Sequence, residues 1–93
     1  MDKKYILQVF IAGSSPDIQS KIVELKEQLS DNLGENSYVL RVVDVLDKPE
    51  IADEEKIIAT PTMVRMEPVP IKKIILNLNE KELKSEIELL TMD

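Results

Sequence analysis

The composition of this chain of 93 residues excludes most classes of enzyme, because it contains no cysteine and no histidine. It therefore lacks the thiol and imidazole groups on which disulfides, nucleophilic catalysis and most transition-metal sites depend. A net charge of −6, with two tyrosines and one phenylalanine as the aromatic residues, disfavours nucleic-acid binding. No segment has the ~20 apolar residues of a membrane span. We expect a single domain over residues 1–93, located in the cytoplasm, with neither a metal nor a cofactor.

The first half of the chain predicts a strand, a helix and a second strand. Residues 5–12 form an almost wholly apolar run, which is typical of a central strand covered on both faces. Ser15 is a good N-cap, and Pro16 suits the first position of a helix. Gly34 is a plausible end of that helix, and residues 37–45 predict the second strand. Because a helix joins the two strands, they should be parallel.

A short acidic helix is predicted next. Asp47 and Glu50 have the spacing of a capping box, in which the first residue caps the amino end of a helix. Ile51, Ile57 and Ile58 are the expected apolar contacts of this helix. The Thr-Pro-Thr segment that follows should end it.

The last part of the chain predicts two strands and a helix. Residues 62–66 and 71–76 are close enough in sequence to form an antiparallel hairpin. Asn79 and Glu82 again have the chemistry of a capped helix start. The apolar stripe of this last helix consists of Leu83, Ile87 and Leu90. The predicted fold class is therefore α/β, with the order βαβαββα and a mixed four-stranded sheet.

This order, with Pro61 immediately before the third strand, resembles the thioredoxin arrangement. Thioredoxins carry their redox cysteines in the loop before the first helix, whereas residues 13–16 here read Gly-Ser-Ser-Pro. The resemblance implies the fold without the redox chemistry. It also implies structural roles for Gly13 and Pro16 and a cis peptide bond at Pro61, for which the alternative is a trans proline that ends the preceding helix. Ser14 is either a partner contact or part of the helix cap.

Four collinear segments resemble the KaiB family of circadian-clock proteins. Residues 9–16, 41–49, 52–62 and 68–75 are similar to the family segments YVAGNTP, KVIDVLKNP, AEEDKILATPT and PPPVRRIIG. Together they cover nearly the whole chain. The N-terminal sensor domain of the clock kinase SasA shares the fold and some of these segments.

The resemblance implies a protein-binding regulator that is not an enzyme. KaiB proteins dock on the N-terminal ATPase ring of KaiC, and in that complex they capture KaiA and displace SasA. The alternative is a standalone SasA-like sensor that signals to a histidine kinase or in a stress response. The candidate partner contacts, at the first-helix end of the sheet and among nearby basic groups, are Lys4, Tyr5, Ser14, Arg41, Lys48 and Lys56.

The resemblance also implies that the C-terminal half can adopt two folds. KaiB proteins have a resting form that rearranges this half and self-associates, whereas the KaiC-binding form is a thioredoxin-like monomer. The family usually continues with Gly-Asp where this chain has Leu76 and Asn77. Glycine in a strand costs about 0.5–1 kcal/mol relative to alanine. We therefore expect the thioredoxin-like monomer to dominate over a tetramer.

Two charged clusters have alternative interpretations. Lys72 and Lys73, with Arg65 on the neighbouring strand, either form a basic patch that docks an acidic surface or keep the protein soluble. The carboxylates of residues 53–55 either bind a cation or form a solvated face. Because consecutive carboxylates on a helix diverge, the solvated face is preferred.

Overall fold

The computed structural model describes residues 4–92. Its strands and helices follow the predicted order βαβαββα, and each strand begins and ends within one residue of its predicted bounds. The elements are β1 (Tyr5–Ile11), α1 (Pro16–Leu33), β2 (Tyr38–Asp44), α2 (Pro49–Glu54), β3 (Thr62–Glu67), β4 (Lys72–Ile75) and α3 (Glu80–Thr91).

The four strands form one mixed sheet in the order β2-β1-β3-β4. β1 and β2 are parallel, as expected for strands joined through a helix. β3 pairs antiparallel with both β1 and β4, so β3 and β4 form the predicted hairpin. The predicted α/β class and mixed four-stranded sheet are confirmed.

One face of the sheet packs against α1 and α3 and forms the main core. Leu7 and Val9 of β1 and Met63 of β3 are buried there, in one cluster with residues of both helices and of the segment after β4. The helix residues of this cluster are Ile22, Leu25, Leu29, Leu83, Ile87 and Leu90. Full burial of each such side chain contributes roughly 1.5–3 kcal/mol, so this cluster is the main source of stability.

The opposite face carries α2. Gln8 and Phe10 of β1 lie on it, and their parallel partners on β2 are Arg41 and Val43. Ile51 of α2 lines the same groove as Gln8 and Val43, which locates this helix on the second face. α2 is short and covers only part of that face. Phe10 is buried there, whereas Arg41 remains exposed.

The ends of the two long helices agree with the sequence analysis. The Ser15 hydroxyl accepts a hydrogen bond from the backbone N–H of Ile18 at 3.2 Å, with Pro16 in the first helical position. Gly34 follows α1 with a φ of 92°, a conformation that favours glycine. The Asn79 side chain accepts from the backbone N–H of Lys81 at 3.0 Å. In residues 4–92, no helix has both the length and the apolar character needed to cross a membrane.

The prediction for α2 is wrong at both ends. The N-cap is Lys48, no side chain caps this helix, and Asp47 is exposed. The turn before α2 is organised instead by Asp44, whose backbone carbonyl accepts from the N–H groups of Asp47 and Lys48. α2 ends at Glu54, so Ile57 and Ile58 lie beyond it.

Three peptide bonds in the second half of the chain are cis. They are Thr60–Pro61, directly before β3, and Glu67–Pro68 and Val69–Pro70, in the connection from β3 to β4. Of these three bonds, only the one at Pro61 is expected from the sequence.

Candidate binding surfaces

The six predicted partner contacts do not lie on one surface. Ser14, Arg41 and Lys48 line a common groove between β2 and α2, which we call the β2-side groove. Lys56 lines a different groove, between the segment after α2 and β4, which we call the β4-side groove. The other two predicted contacts are at the amino end of β1: Lys4 lies near the β3–β4 connection, and the half-buried Tyr5 donates from its hydroxyl to the carbonyl of Thr91.

The β2-side groove has a volume of about 460 Å³ and a mixed lining. Its cations are Arg41 and Lys48, and Asp44 and Asp47 balance them. The Oε1 atom of Gln8 is buried in the floor without a hydrogen-bond partner. The remaining lining residues are Ile11, Ser14, Val42, Val43 and Ile51.

The carboxylate of Asp44 fixes the loop that resembles the redox loop of thioredoxins. Its Oδ1 atom accepts from the backbone N–H of Gly13 at 2.9 Å and from that of Leu46 at 3.0 Å. Gly13 has a φ of 84°, which side chains rarely adopt, so glycine is needed there. The Ser14 hydroxyl accepts from the Gln19 side chain at 3.1 Å. Hydrogen bonds to the side chains of Asp44 in β2 and Gln19 in α1 therefore fix this loop at the carboxyl ends of β1 and β2.

Replacing Asp44 by alanine is expected to lower the free energy of unfolding by about 1–3 kcal/mol, because the partly buried N–H of Gly13 and the exposed N–H of Leu46 both lose a charged acceptor. The measurement is urea unfolding followed by circular dichroism. Asp47→Ala is the matched control, since that carboxylate is exposed, and should change stability by less than about 0.5 kcal/mol. Equal stability of the two variants would contradict the role given to Asp44.

The β4-side groove is smaller, at about 230 Å³, and mainly apolar. Ile58 is 92% exposed and Ile75 is 60% exposed, which is unusual for isoleucine. Two lysines, Lys56 and Lys73, flank these side chains, and the Lys73 ammonium donates to the carbonyl of Glu55. The other lining residues are Ile57, Thr62 and Ile74. This surface is thus an apolar patch with a basic rim on an acidic protein.

The backbone conformation explains why Ile58 is exposed. Lys56 has a φ of 56°, in the left-handed region, and its N–H still bonds to the carbonyl of Asp53. This residue ends the helical turn and redirects the chain away from the axis of α2. The sequence pattern does not predict this exposure, because it favours Ile57 and Ile58 as apolar contacts of the helix. The sequence feature that could have indicated the exposure of Ile58 is the pair of adjacent isoleucines close to the end of the predicted helix.

Arg65 does not belong to a surface patch, so that part of the prediction is wrong. It is 0% exposed and lies on the helix-covered face of the sheet, with Met63. Its antiparallel partner is Lys72, whereas Lys73 faces the β4-side groove. Strand alternation therefore separates the two lysines. Within the described residues, no acidic cluster forms a metal site.

The fold is that of the thioredoxin class, and solved structures agree. The chain is similar to the N-terminal domain of Synechococcus elongatus SasA, with a TM-score of 0.74 and 19% identity over 97% of this chain and 85% of that one. It is also similar to oxidised mitochondrial thioredoxin 3 from Saccharomyces cerevisiae, with a TM-score of 0.67 and 21% identity over 95% of this chain and 80% of that one. These likenesses establish the fold alone, and this chain has no cysteine.

Within that class, the chain belongs to the KaiB family. The KaiB domain matches residues 8–89. The circadian clock oscillator protein KaiB of Prochlorococcus marinus subsp. pastoris is 41% identical over 80 residues, which cover 86% of this chain and 74% of that protein. KaiB of Trichodesmium erythraeum is 39% identical over 82 residues, covering 88% and 78%. The family predicted from the four sequence segments is confirmed.

Proposed function

We propose that this protein is a non-enzymatic regulator that docks, as a thioredoxin-like monomer, on the N-terminal ATPase ring of a KaiC-type ATPase. Its membership of the KaiB family carries the proposal. The lack of cysteine and histidine supports a binding role rather than a redox or hydrolytic one. A KaiA-like regulator is proposed as a second partner of the complex.

The β4-side groove is proposed as the docking surface for the ATPase ring. Protein interfaces are anchored by a few apolar side chains that become fully buried on binding. Ile58, in the segment after α2, and Ile75, in β4, are the exposed apolar side chains that line this groove. Burying an isoleucine side chain contributes roughly 1.5–3 kcal/mol.

The basic rim of this groove indicates the charge of the partner. Lys56 and Lys73 give the patch a local positive charge, although the protein has a net charge of −6. An acidic segment with an exposed apolar side chain would complement both features. Of the six predicted contacts, we therefore assign Lys56 to the primary surface. We assign Ser14, Arg41 and Lys48, in the β2-side groove, to a second surface, and we retain Lys4 and Tyr5 as peripheral candidates.

The alternative function, a SasA-like sensor that acts on a histidine kinase, has weaker support. The similarity to the SasA domain is one of fold, at 19% identity, whereas clock oscillator proteins KaiB are 39–41% identical. The KaiB-type function is therefore preferred.

Size-exclusion chromatography with KaiC from the same genome, with and without ATP, tests the proposal. We expect the protein to co-migrate with KaiC, and with the isolated N-terminal ATPase domain but not the C-terminal one. Failure to co-migrate in either nucleotide state would contradict the proposal. Binding to a SasA-type kinase instead of KaiC would support the alternative.

A further inference from the structure

The outer side of β4 is a strand edge with no neighbouring strand in the sheet. β4 is the last strand in the order β2-β1-β3-β4, and within residues 4–92 its only strand partner is β3. Two of its four residues, Lys73 and Ile75, are exposed. The unpaired backbone N–H and C=O groups of such an edge form a template on which another extended chain can pair.

The register of β3 and β4 identifies the backbone groups that point to the free edge. The N–H of Leu76 donates to the carbonyl of Pro61 at 2.9 Å, and these residues are opposite each other when the pairing of Thr62 with Ile75 is continued by one position. Hydrogen-bonded positions alternate with non-hydrogen-bonded ones in an antiparallel pair. Ile75 is therefore at a non-hydrogen-bonded position and, two residues earlier, so is Lys73. The backbone N–H and C=O groups of both residues point away from β3.

The side chains of the same two residues border the β4-side groove. In the described part of the chain, the backbone groups of Lys73 and Ile75 make no bond in a turn, loop or cap. Ile58, which is 92% exposed, lines the same groove. Residues directly opposite each other on neighbouring strands have their side chains on the same face of the sheet. A strand added at this edge would therefore direct the side chains opposite Lys73 and Ile75 toward the groove.

The charges at this edge favour an acidic partner over a second copy of this chain. Pairs of opposite charge and pairs of branched apolar side chains stabilise neighbouring strands. The segment that fits thus has a carboxylate opposite Lys73 and a branched apolar side chain opposite Ile75, and Lys56 adds a second positive charge at the rim. Pairing two β4 edges would instead bring the lysines of both copies together, and lysines on an edge strand oppose such self-association.

We propose that β4 binds its partner by strand addition, in which an extended partner segment becomes the fifth strand of the sheet. This segment carries an acidic residue and, two positions away, a branched apolar residue. Bonds to the backbone of Lys73 and Ile75 contribute affinity, and the side-chain pairs above the groove contribute specificity. The inference rests on the proposed function, because the segment is assigned to the ATPase ring that docks at the β4-side groove.

Two substitutions at one position test the strand addition, with binding to the immobilised KaiC-type ATPase measured by biolayer interferometry. Ile75→Ala removes the apolar contact and keeps the backbone N–H, whereas Ile75→Pro also removes the N–H. Proline is tolerated on edge strands where its nitrogen faces solvent, so the fold should be retained. We expect the dissociation constant of Ile75→Pro to exceed that of Ile75→Ala by about 10-fold or more, because a main-chain bond is lost and the facing carbonyl stays unpaired.

The result separates this inference from the proposed function. Equal affinities of Ile75→Pro and Ile75→Ala, with a wild type that binds, would overturn strand addition and leave the proposed function intact. A wild type that does not bind the ATPase would contradict the proposed function and this inference with it.

Amide hydrogen exchange gives a second readout, which does not require Ile75→Pro to fold. In the free wild-type protein, the N–H groups of Lys73 and Ile75 should exchange rapidly, and in the complex each should exchange about 10-fold more slowly or less. The N–H of Val69, which lies outside the groove, is the control and should not change. Unchanged exchange of Lys73 and Ile75 on binding would overturn the proposal. Protection that appears in the free protein as its concentration rises would assign the edge to a second copy and would also overturn it.

Discussion

Replacing Ile58 by aspartate is expected to weaken binding to the N-terminal ATPase ring of KaiC by about 30-fold or more. This side chain is 92% exposed, so the substitution costs the free protein little. In the complex, the aspartate would place a buried negative charge where an apolar contact is needed. It would also oppose the acidic partner that the rim lysines favour. The dissociation constant is best measured by biolayer interferometry with immobilised KaiC.

Val69→Asp is the matched control for this prediction. Val69 is also strongly exposed, at 78%, but it lies outside the β4-side groove. The control should bind KaiC like the wild type, and both variants should unfold within about 0.5 kcal/mol of it. Equal loss of affinity in the two variants would indicate a nonspecific effect of charge, and unchanged affinity of Ile58→Asp would place the interface elsewhere.

The double change Leu76→Gly and Asn77→Asp, which restores the residues usual in the family, is expected to destabilise the thioredoxin-like form by about 3–5 kcal/mol. Leu76 is 3% exposed and belongs to the main core, so its removal leaves a cavity. The Asn77 side chain donates to a carboxylate oxygen of Glu82 at 2.7 Å, and an aspartate there would face that carboxylate instead. Native proteins are stable by only about 5–15 kcal/mol, so we expect a shift of this size to move the population toward a resting form of the kind that the family resemblance implies.

Sedimentation velocity and backbone NMR shifts measure the outcome. The double variant should form larger species at micromolar concentration and lose strand-like shifts across residues 62–67. Leu76→Met is the control, because it conserves volume and leaves Asn77 in place, and it should remain a monomer. A double variant that keeps the wild-type mass and shifts would show that these two positions do not govern the choice of fold.

Local patterns were sufficient to predict the order of elements and the sheet. The apolar run of β1, the caps at Ser15 and Asn79 and the stop at Gly34 each depend on interactions within a few residues, so sequence alone determines them. The parallel pairing of β1 and β2 followed from the helix between them. The hydrogen bond of Glu82 is not predictable from a local pattern. Its spacing from Asn79 predicts a bond to the helix start, whereas its carboxylate accepts from the side chain of Asn77.

The candidate sites were less predictable, because they depend on contacts between distant residues. Nothing within β3 shows that Arg65 is buried, since its acceptors belong to the end of α3 and to the connection after β3. The exposure of Ile58 depends on the left-handed conformation of Lys56, a residue that rarely adopts it. Asp44 instead of Asp47 organises the turn before α2: its carbonyl accepts from the N–H groups of Asp47 and Lys48, and its carboxylate accepts from those of Gly13 and Leu46.

The alternation of side chains along β4 has a practical consequence for mutagenesis. Lys72 bonds to the end of α3, and Ile74 packs on the core although it also reaches the lining of the β4-side groove, whereas Lys73 and Ile75 border that groove alone. Substituting each residue of this strand in turn therefore separates effects on stability from effects on partner affinity, according to whether the residue number is even or odd. Losses of stability should cluster at the even positions and losses of affinity at the odd ones, so that neighbouring substitutions serve as controls for each other.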